Sequence, residues 1–191
     1  VLELAREFRM DTDIPKDLWV LRTPPEGKPV AATLLASSAK QFFASVSKPV
    51  LVGTYDTSVL IWMNSTPFSE LNEGLEEDLI SSINSDLCLY VFRSLYLPVE
   101  IKNAYEMVIR YEKTLSRIYR RKFIFTRHDL YFANICELLL SGQKNAIDPI
   151  CGLIDCLHDE DGDLLRTLAT YYLDADGNTQ KTGELLYMHN N

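Results

Sequence analysis

One hairpin-like segment constrains the fold most strongly. It contains two β-rich runs, residues 49–54 and 58–64, and only Tyr55, Asp56 and Thr57 separate them. Two such runs joined by so short a connection are typical of a β-hairpin. The segment therefore predicts two adjacent antiparallel strands, and the rest of the chain must extend and cover the sheet that they begin.

Three further runs are candidates for strands of the same sheet. Residues 17–23 form a short apolar run that suits a buried strand, and a proline-rich, glycine-containing stretch ends it. Residues 86–94 and 123–125 are also rich in β-branched, aromatic and other apolar side chains. The sequence thus predicts five strands in all.

Apolar residues at helical spacing lie between these strands. They predict a helix from Pro29 to about residue 47, a second helix capped by Thr66 or Ser69, and a long helix from Pro98 to about residue 120. In the first of these helices the side chains expected to turn inward are Val30, Leu34, Leu35, Phe42, Phe43 and Val46.

The resulting order, β-α-β-β-α-β-α-β, predicts an α+β fold. Its first six elements match the split βαβ arrangement, an antiparallel sheet covered by helices, which we place at residues 15–127. Every later segment favours helix, so residues 128–191 are expected to form an all-helical domain with helices at 130–140, 146–157 and 163–173. Residues 1–14 are expected to end a linker helix from an upstream domain.

The last 28 residues carry the most informative pattern of the helical part. An apolar helix runs into Asp-Ala-Asp-Gly, where Gly177 suits a left-handed helix stop. Asn178 and Thr179 can then cap a short helix over residues 180–188. A helix, a glycine turn and a short helix predict the front of a helix-turn-helix. We expect the chain to be a fragment that stops before the recognition helix.

These residues resemble the PucR/CdaR-type bacterial transcriptional regulators. The resemblance covers roughly residues 15–191, and Gly183 and Asn190 depart from the alanine and arginine that the family usually has there. The positions that match the family's C-terminal pattern are Leu164, Leu165, Leu168, Tyr172, Leu173, Asn178, Lys181, Thr182, Leu185, His189 and Asn191.

The resemblance implies a fold and a function. The α+β domain would be GGDEF-like, similar in fold to diguanylate cyclases, and would act as a non-catalytic relay or dimerisation domain. The intact protein would be a cytoplasmic, homodimeric transcription regulator, with an effector-sensing domain upstream. It would bind DNA only at full length. Six residues of the incomplete motif are the expected DNA-contacting set: Asn178, Gln180, Lys181, His189, Asn190 and Asn191.

Charge and cysteine content exclude several other classes. The net charge of −8 divides into −5 for residues 1–97, +4 for 98–130 and −7 for 131–191, an acidic balance that opposes independent binding to a phosphate backbone. The four cysteines form no C-x-x-C pair and only three histidines are present, so reduced thiols are expected and no metal or cofactor. No apolar run of about 18 residues predicts a membrane span.

A nucleotide cyclase is the sharpest enzymatic hypothesis, and the hairpin disfavours it. Cyclases of the GGDEF fold carry Gly-Gly-Asp-Glu-Phe there, whose acids hold Mg²⁺ beside the phosphates. Here the hairpin retains only Asp56, and Tyr55 would crowd a phosphate. A lone carboxylate cannot hold two metal ions. We therefore expect Asp56 to be a turn residue and the chain not to be an enzyme.

Three other features have competing interpretations. The basic residues of 117–127 can bind an acidic ligand or simply favour a helix C-terminus. The acidic run 158–163 lacks EF-hand spacing and suits an exposed turn. His128 and Asp129 suit a helix cap better than acid–base catalysis. The main alternative to the regulator is a sensor in which the core holds a small molecule or nucleotide beside the hairpin, without direct DNA binding.

Overall fold

Five strands form one sheet in the order β2-β3-β1-β4-β5. The structure is a computed structural model that describes residues 14–65, 74–83, 86–119, 121–141, 163–175 and 177–186. The strand positions agree with the predicted ones to within two residues at each end. The strands are β1 (Lys16–Arg22), β2 (Val50–Tyr55), β3 (Ser58–Asn64), β4 (Cys88–Leu95) and β5 (Ile124–Thr126).

The pairing confirms the predicted split βαβ arrangement. Strand β1 pairs antiparallel with both β3 and β4, and β2 pairs antiparallel with β3. Strands β1 and β2 are therefore parallel to each other with β3 between them. The direction of the fifth strand was not predicted, and β5 pairs parallel with β4, through Tyr90 and Phe125 among others. A long helical connection between β4 and β5 permits this parallel pairing.

Three helices accompany the sheet, and two of them cover the same face. The helices are α1 (Ala32–Ser45), α2 (Leu75–Ser82) and α3 (Pro98–Ile118). Helices α1 and α2 bury Leu35, Phe43 and Leu79 against Trp19 and Ile61 of the sheet. We call this side of the sheet the α1 face. Strand β1 is buried on both faces, which explains its continuous apolar run.

The α1 helix corrects two of the predicted inward positions. Val30, Leu35, Phe42 and Phe43 belong to the packed core as expected, but Leu34 is 64% exposed and Val46 is 43% exposed. Adjacent residues of a helix point about 100° apart, and α1 is rotated so that Leu35 faces the sheet and Leu34 faces solvent. Val46 lies beyond the last helical residue, Ser45.

The starts of two helices also differ from expectation. Helix α1 begins at Ala32, so Pro29 precedes it and does not lie in its first turn. Helix α2 begins after Gly74, whose φ of +93° is a left-handed conformation that glycine adopts without strain. The predicted caps Thr66 and Ser69 lie outside the described residues.

The chain divides into two units, and the sheet belongs to the first of them. The first comprises Val1–Glu112 and Phe123–Leu130, and the second comprises Lys113–Lys122 and Tyr131–Asn191. All described elements after β5 are helical, as predicted: α4 (Arg127–Leu140), α5 (Asp163–Ala169), a π-helix (Thr170–Asp174) and α6 (Thr179–Leu185). The predicted linker helix of residues 1–14 and the helix at 146–157 lie outside the described residues, apart from Ile14.

The start of α4 confirms the capping interpretation of Asp129. Its carboxylate accepts hydrogen bonds from the backbone N–H of Thr126, at 2.7 Å, and from the Thr126 hydroxyl, at 3.0 Å. An acid in the third helical position that reaches back to the residue before the helix is half of a capping box. His128 lies in the same first turn with its side chain exposed.

Within the second unit, the last turns of α3 pack against α4. The Thr114 hydroxyl donates a 2.6 Å hydrogen bond to Glu137, and the rings of Tyr119 and Phe132 lie 6.5 Å apart. None of the described helices combines the length and apolarity needed to cross a bilayer.

Candidate functional site

The β2–β3 hairpin has a two-residue turn, Asp56-Thr57, closed by the pair Tyr55 and Ser58. Asp56 has a φ of +51°, a left-handed conformation that aspartate tolerates better than most residues. The Thr57 hydroxyl approaches the Asp56 carboxylate at 3.5 Å, and both residues are exposed. The hairpin is confirmed, and the geometry of Asp56 is that of a turn residue.

The acid of β1 lies at the opposite end of the sheet from this turn. Asp17 pairs with Met63, five residues along β3 from Ser58, which corresponds to about 17 Å at strand spacing. Its carboxylate accepts from the Ser65 hydroxyl at 2.6 Å and the Ser94 backbone N–H at 3.0 Å. Asp17 and Asp56 are therefore too far apart to share a metal pair. In the described part of the chain, no three His, Cys, Asp or Glu side chains gather at one point.

A groove of about 630 Å³ opens beside the hairpin, within the first unit. It lies on the sheet face opposite the α1 face, between β2 and β3 on one side and the first turns of α3 on the other. We call this side of the sheet the α3 face. The groove is lined by Leu18, Leu51, Val52, Gly53, Tyr55, Leu60, Trp62, Ile101, Lys102, Tyr105 and Glu106.

Two tyrosines close the hairpin end of the groove. The rings of Tyr55 and Tyr105 meet edge to face, with centroids 5.1 Å apart and planes at 82°. The Tyr105 hydroxyl lies 3.3 Å from the hydroxyl of Ser58, which is fully buried. This contact ties the groove wall on α3 to the first residue of β3.

A buried ion pair between Arg22 of β1 and Glu112 of α3 also links the sheet to α3. Arg22 Nη1 donates a 2.6 Å hydrogen bond to the Ser58 hydroxyl. Its Nε lies 2.9 Å from Glu112 Oε2, a charge contact without hydrogen-bond alignment, and Nη2 donates a longer 3.4 Å bond to Oε1. The side chains of Arg22 and Glu112 are 12% and 13% exposed. The pair thus joins β1 to α3 next to the hairpin.

The groove was not predicted from the sequence. Alternation along β3 places Leu60 and Trp62 on one face of the sheet, and this pattern could have indicated a second apolar face. Nothing in the sequence indicates that α3 leaves space above them, because that depends on how far its side chains stand from the sheet.

Two of the four cysteines, Cys88 and Cys136, lie among the described residues, and both are free thiols. Cys88 is buried, and burial raises the pKa of its thiol to about 11, while Cys136 is half-buried, with its pKa also raised by burial. Tyr90, next to Cys88 on the same face of β4, has its pKa raised by burial as well. These two cysteines agree with the reduced thiols that were expected; Cys151 and Cys156 lie outside the described residues.

Cys88 is therefore expected to resist alkylation in the folded protein. At pH 8 the thiolate fraction for a pKa of about 11 is about 100-fold below that for the ordinary value of 9.0, because only the thiolate reacts. Iodoacetamide labelling followed by peptide mass spectrometry measures the rate, and labelling in urea provides the unhindered reference. Equal rates in the folded and unfolded protein would show that Cys88 is accessible and not shifted.

The segment 163–186 has the geometry of two helices joined by a tight turn. Helix α5 continues directly into the π-helix, which was not predicted, and the N–H of Gly177 donates to the Tyr171 carbonyl at 2.8 Å. Gly177 has a φ of +76°, the left-handed stop that was predicted. Asn178 caps α6 by accepting from the Lys181 N–H at 3.0 Å, as predicted. Thr182 is buried and bonds back to the Asn178 carbonyl.

Three of the six residues in the expected DNA-contacting set lie among the described residues. Asn178, Gln180 and Lys181 are exposed at the start of α6, where Gln180 also lies 3.3 Å from Glu184. His189, Asn190 and Asn191 lie outside the described residues, and α6 ends at Leu185, earlier than the predicted residue 188.

The structure describes four of the five basic residues of 117–127, namely Arg117, Arg121, Lys122 and Arg127. Arg117 and Arg121 are exposed, and the Lys122 ammonium lies 5.2 Å from the centre of the Tyr119 ring. A cation over a tyrosine face is a common structural contact. Arg120 and most of the acidic run 158–163 lie outside the described residues.

The sequence matches no protein-family model, and no curated protein is significantly similar to it.

Proposed function

We propose that this chain is part of a DNA-binding transcriptional regulator whose α+β unit is a non-catalytic relay or dimerisation domain. The observation that carries the proposal is the turn between the π-helix and α6. Its asparagine cap at Asn178 occurs where the resemblance to PucR/CdaR-type regulators expects it, and Gly177 forms the helix stop that the sequence predicts. A helix-turn-helix consists of two helices joined by a short turn, and in this proposal α6 is the first of the two.

In this proposal the helix that reads DNA follows α6 in the full-length protein. Helix-turn-helix proteins commonly bind paired half-sites as dimers, so a homodimeric core would set the spacing of two such helices. Lys181 is the one cation of α6, and at a helix start it would contact phosphate and not bases. The protein would act in the cytoplasm, with an effector bound by an upstream domain.

The full-length protein is expected to bind the DNA upstream of its own gene, whereas residues 1–191 alone are expected not to bind it. Replacing Lys181 with alanine should weaken binding equally on all sequences and reduce the salt slope by about 1, the loss of one phosphate contact. Mobility-shift titrations at several salt concentrations measure both quantities.

The matched control is Lys40→Ala, which removes an exposed lysine of α1 in the first unit. Its affinity and salt slope should equal those of the wild type. If the full-length protein fails to bind, the regulator proposal is wrong. If it binds and Lys181→Ala behaves as Lys40→Ala does, only the phosphate contact is wrong.

The groove beside the hairpin favours a second candidate function, a small-molecule sensor. Ligand sites are usually concave, largely apolar and 300–1,000 Å³ in size, a range that includes the groove's volume of about 630 Å³. A sensor domain can serve a regulator or act without DNA binding. A ligand that binds only the native state would raise the melting temperature.

A further inference from the structure

We propose that the groove between β2, β3 and α3 binds a flat, uncharged and largely apolar small molecule, and that Gly53 keeps the groove open for it. This inference rests on the sensor function and specifies its ligand. The sequence alone allowed either a small molecule or a nucleotide.

Gly53 has no role in the backbone of β2 that requires glycine. It pairs with Leu60 inside an unbroken β2–β3 register, without a bulge and without the left-handed φ that only glycine adopts easily. Glycine within a strand weakens it, and often marks a close approach by another group. A Cβ built on Gly53 would meet no atom within 4 Å. What the missing side chain provides is therefore open space in the groove wall.

The rest of the wall suits a planar apolar guest. Trp62 and Leu60 of β3 face Ile101 and Tyr105 of α3 across the groove. The Tyr105 hydroxyl is held by Ser58, so this aromatic wall is tied to the sheet. Aromatic side chains with fixed rings offer flat surfaces against which a ring system can pack.

The charges at the groove favour an uncharged guest. Only two lining side chains are ionised, Lys102 and Glu106, and they lie 3.6 Å apart on successive turns of α3. The two opposite charges offset each other, so the groove has no net positive charge that would attract a phosphate. A nucleotide triphosphate needs several cations or a metal, and the groove has neither among its described residues.

The test titrates the 191-residue chain with N-phenyl-1-naphthylamine, a flat, uncharged probe that fluoresces when it leaves water. The wild type should bind it saturably at one site. Gly53→Leu places a side chain in the groove and should weaken binding by about tenfold or more. Thr54→Leu adds the same side chain at the next residue, on the other face of β2, where Thr54 is exposed, and should change affinity by less than about twofold.

Thermal unfolding shows whether the variants are folded. Gly53→Leu is expected to melt at or above the wild-type temperature, because glycine loses the most entropy on folding and this position is unstrained. Loss of probe binding in a folded Gly53→Leu protein then reports the groove. A probe that binds Gly53→Leu as tightly as the wild type, or that never binds saturably, overturns the inference.

Three further measurements separate this inference from the functions it touches. If a library ligand raises the melting temperature without displacing the probe, the sensor function stands and the groove assignment is wrong. If GTP displaces the probe at similar concentration, the guest is a nucleotide, contrary to the charge argument. If the wild type binds no probe and is a dimer that Gly53→Leu dissociates, a second copy of the chain fills the groove, and the small-molecule proposal falls. None of these three results tests the DNA-binding proposal, which the mobility-shift titrations test separately.

Discussion

Replacing Arg22 with methionine is expected to lower the free energy of unfolding by about 3–5 kcal/mol. The side chains of Arg22 and Glu112 are only 12% and 13% exposed, so the variant leaves the Glu112 carboxylate buried without the positive charge beside it. It also removes the 2.6 Å hydrogen bond to the buried Ser58 hydroxyl. Urea unfolding followed by circular dichroism measures the change.

An exposed ion pair of α3, the helix that carries Glu112, provides the control. Lys102 and Glu106 are 73% and 61% exposed and lie 3.6 Å apart, so Lys102→Met should cost no more than about 0.5 kcal/mol. Removing both buried charges, as in Arg22→Met with Glu112→Leu, should recover much of the loss because no charge is then left buried. If Arg22→Met costs as little as Lys102→Met, the Arg22–Glu112 pair does not stabilise the fold.

Truncating Leu35 to alanine is expected to cost about 2–5 kcal/mol, whereas the same change at Leu34 should stay within about 0.5 kcal/mol. The two leucines are neighbours in α1 and have the same helix propensity. Leu35 is 1% exposed within the core cluster, and Leu34 is 64% exposed. Their difference therefore isolates the packing contribution from any effect on the helix itself.

Urea unfolding of both variants, with the slope of the transition compared with that of the wild type, tests this prediction. Equal losses at both positions would mean that α1 is rotated about its axis relative to the arrangement described, or that Leu34 is covered by another surface. A dimer that buries Leu34 would reveal itself as a loss that depends on protein concentration.

The predictions from sequence that succeeded depend on local chemistry. The hairpin with Asp56 in its turn, the left-handed Gly177 and the Asn178 cap follow from which residues tolerate a conformation or supply an acceptor nearby. The order of strands and helices follows from hydrophobic periodicity, and a split βαβ sheet is a known outcome of that order. The parallel pairing of β5 was missed, since strand direction depends on the path of the connection.

Other features join residues that are far apart in the chain. Arg22 and Glu112 are 90 residues apart, and the sequence does not show that they pair until β1 and α3 meet. The same applies to Tyr105 and Ser58, and to the choice between Leu34 and Leu35. In each case the sequence offered two or more equivalent positions.

By itself, the sequence determined the class of fold, the hairpin and the turn with its stop at Gly177 and cap at Asn178, because turns, caps and periodicity act within a few neighbouring residues. Only the tertiary structure decided which leucine of α1 is buried, where the charges of β1 and α3 pair, and that a groove remains above Gly53. These depend on the distance and rotation of a helix relative to a sheet, which side-chain packing over the whole unit sets.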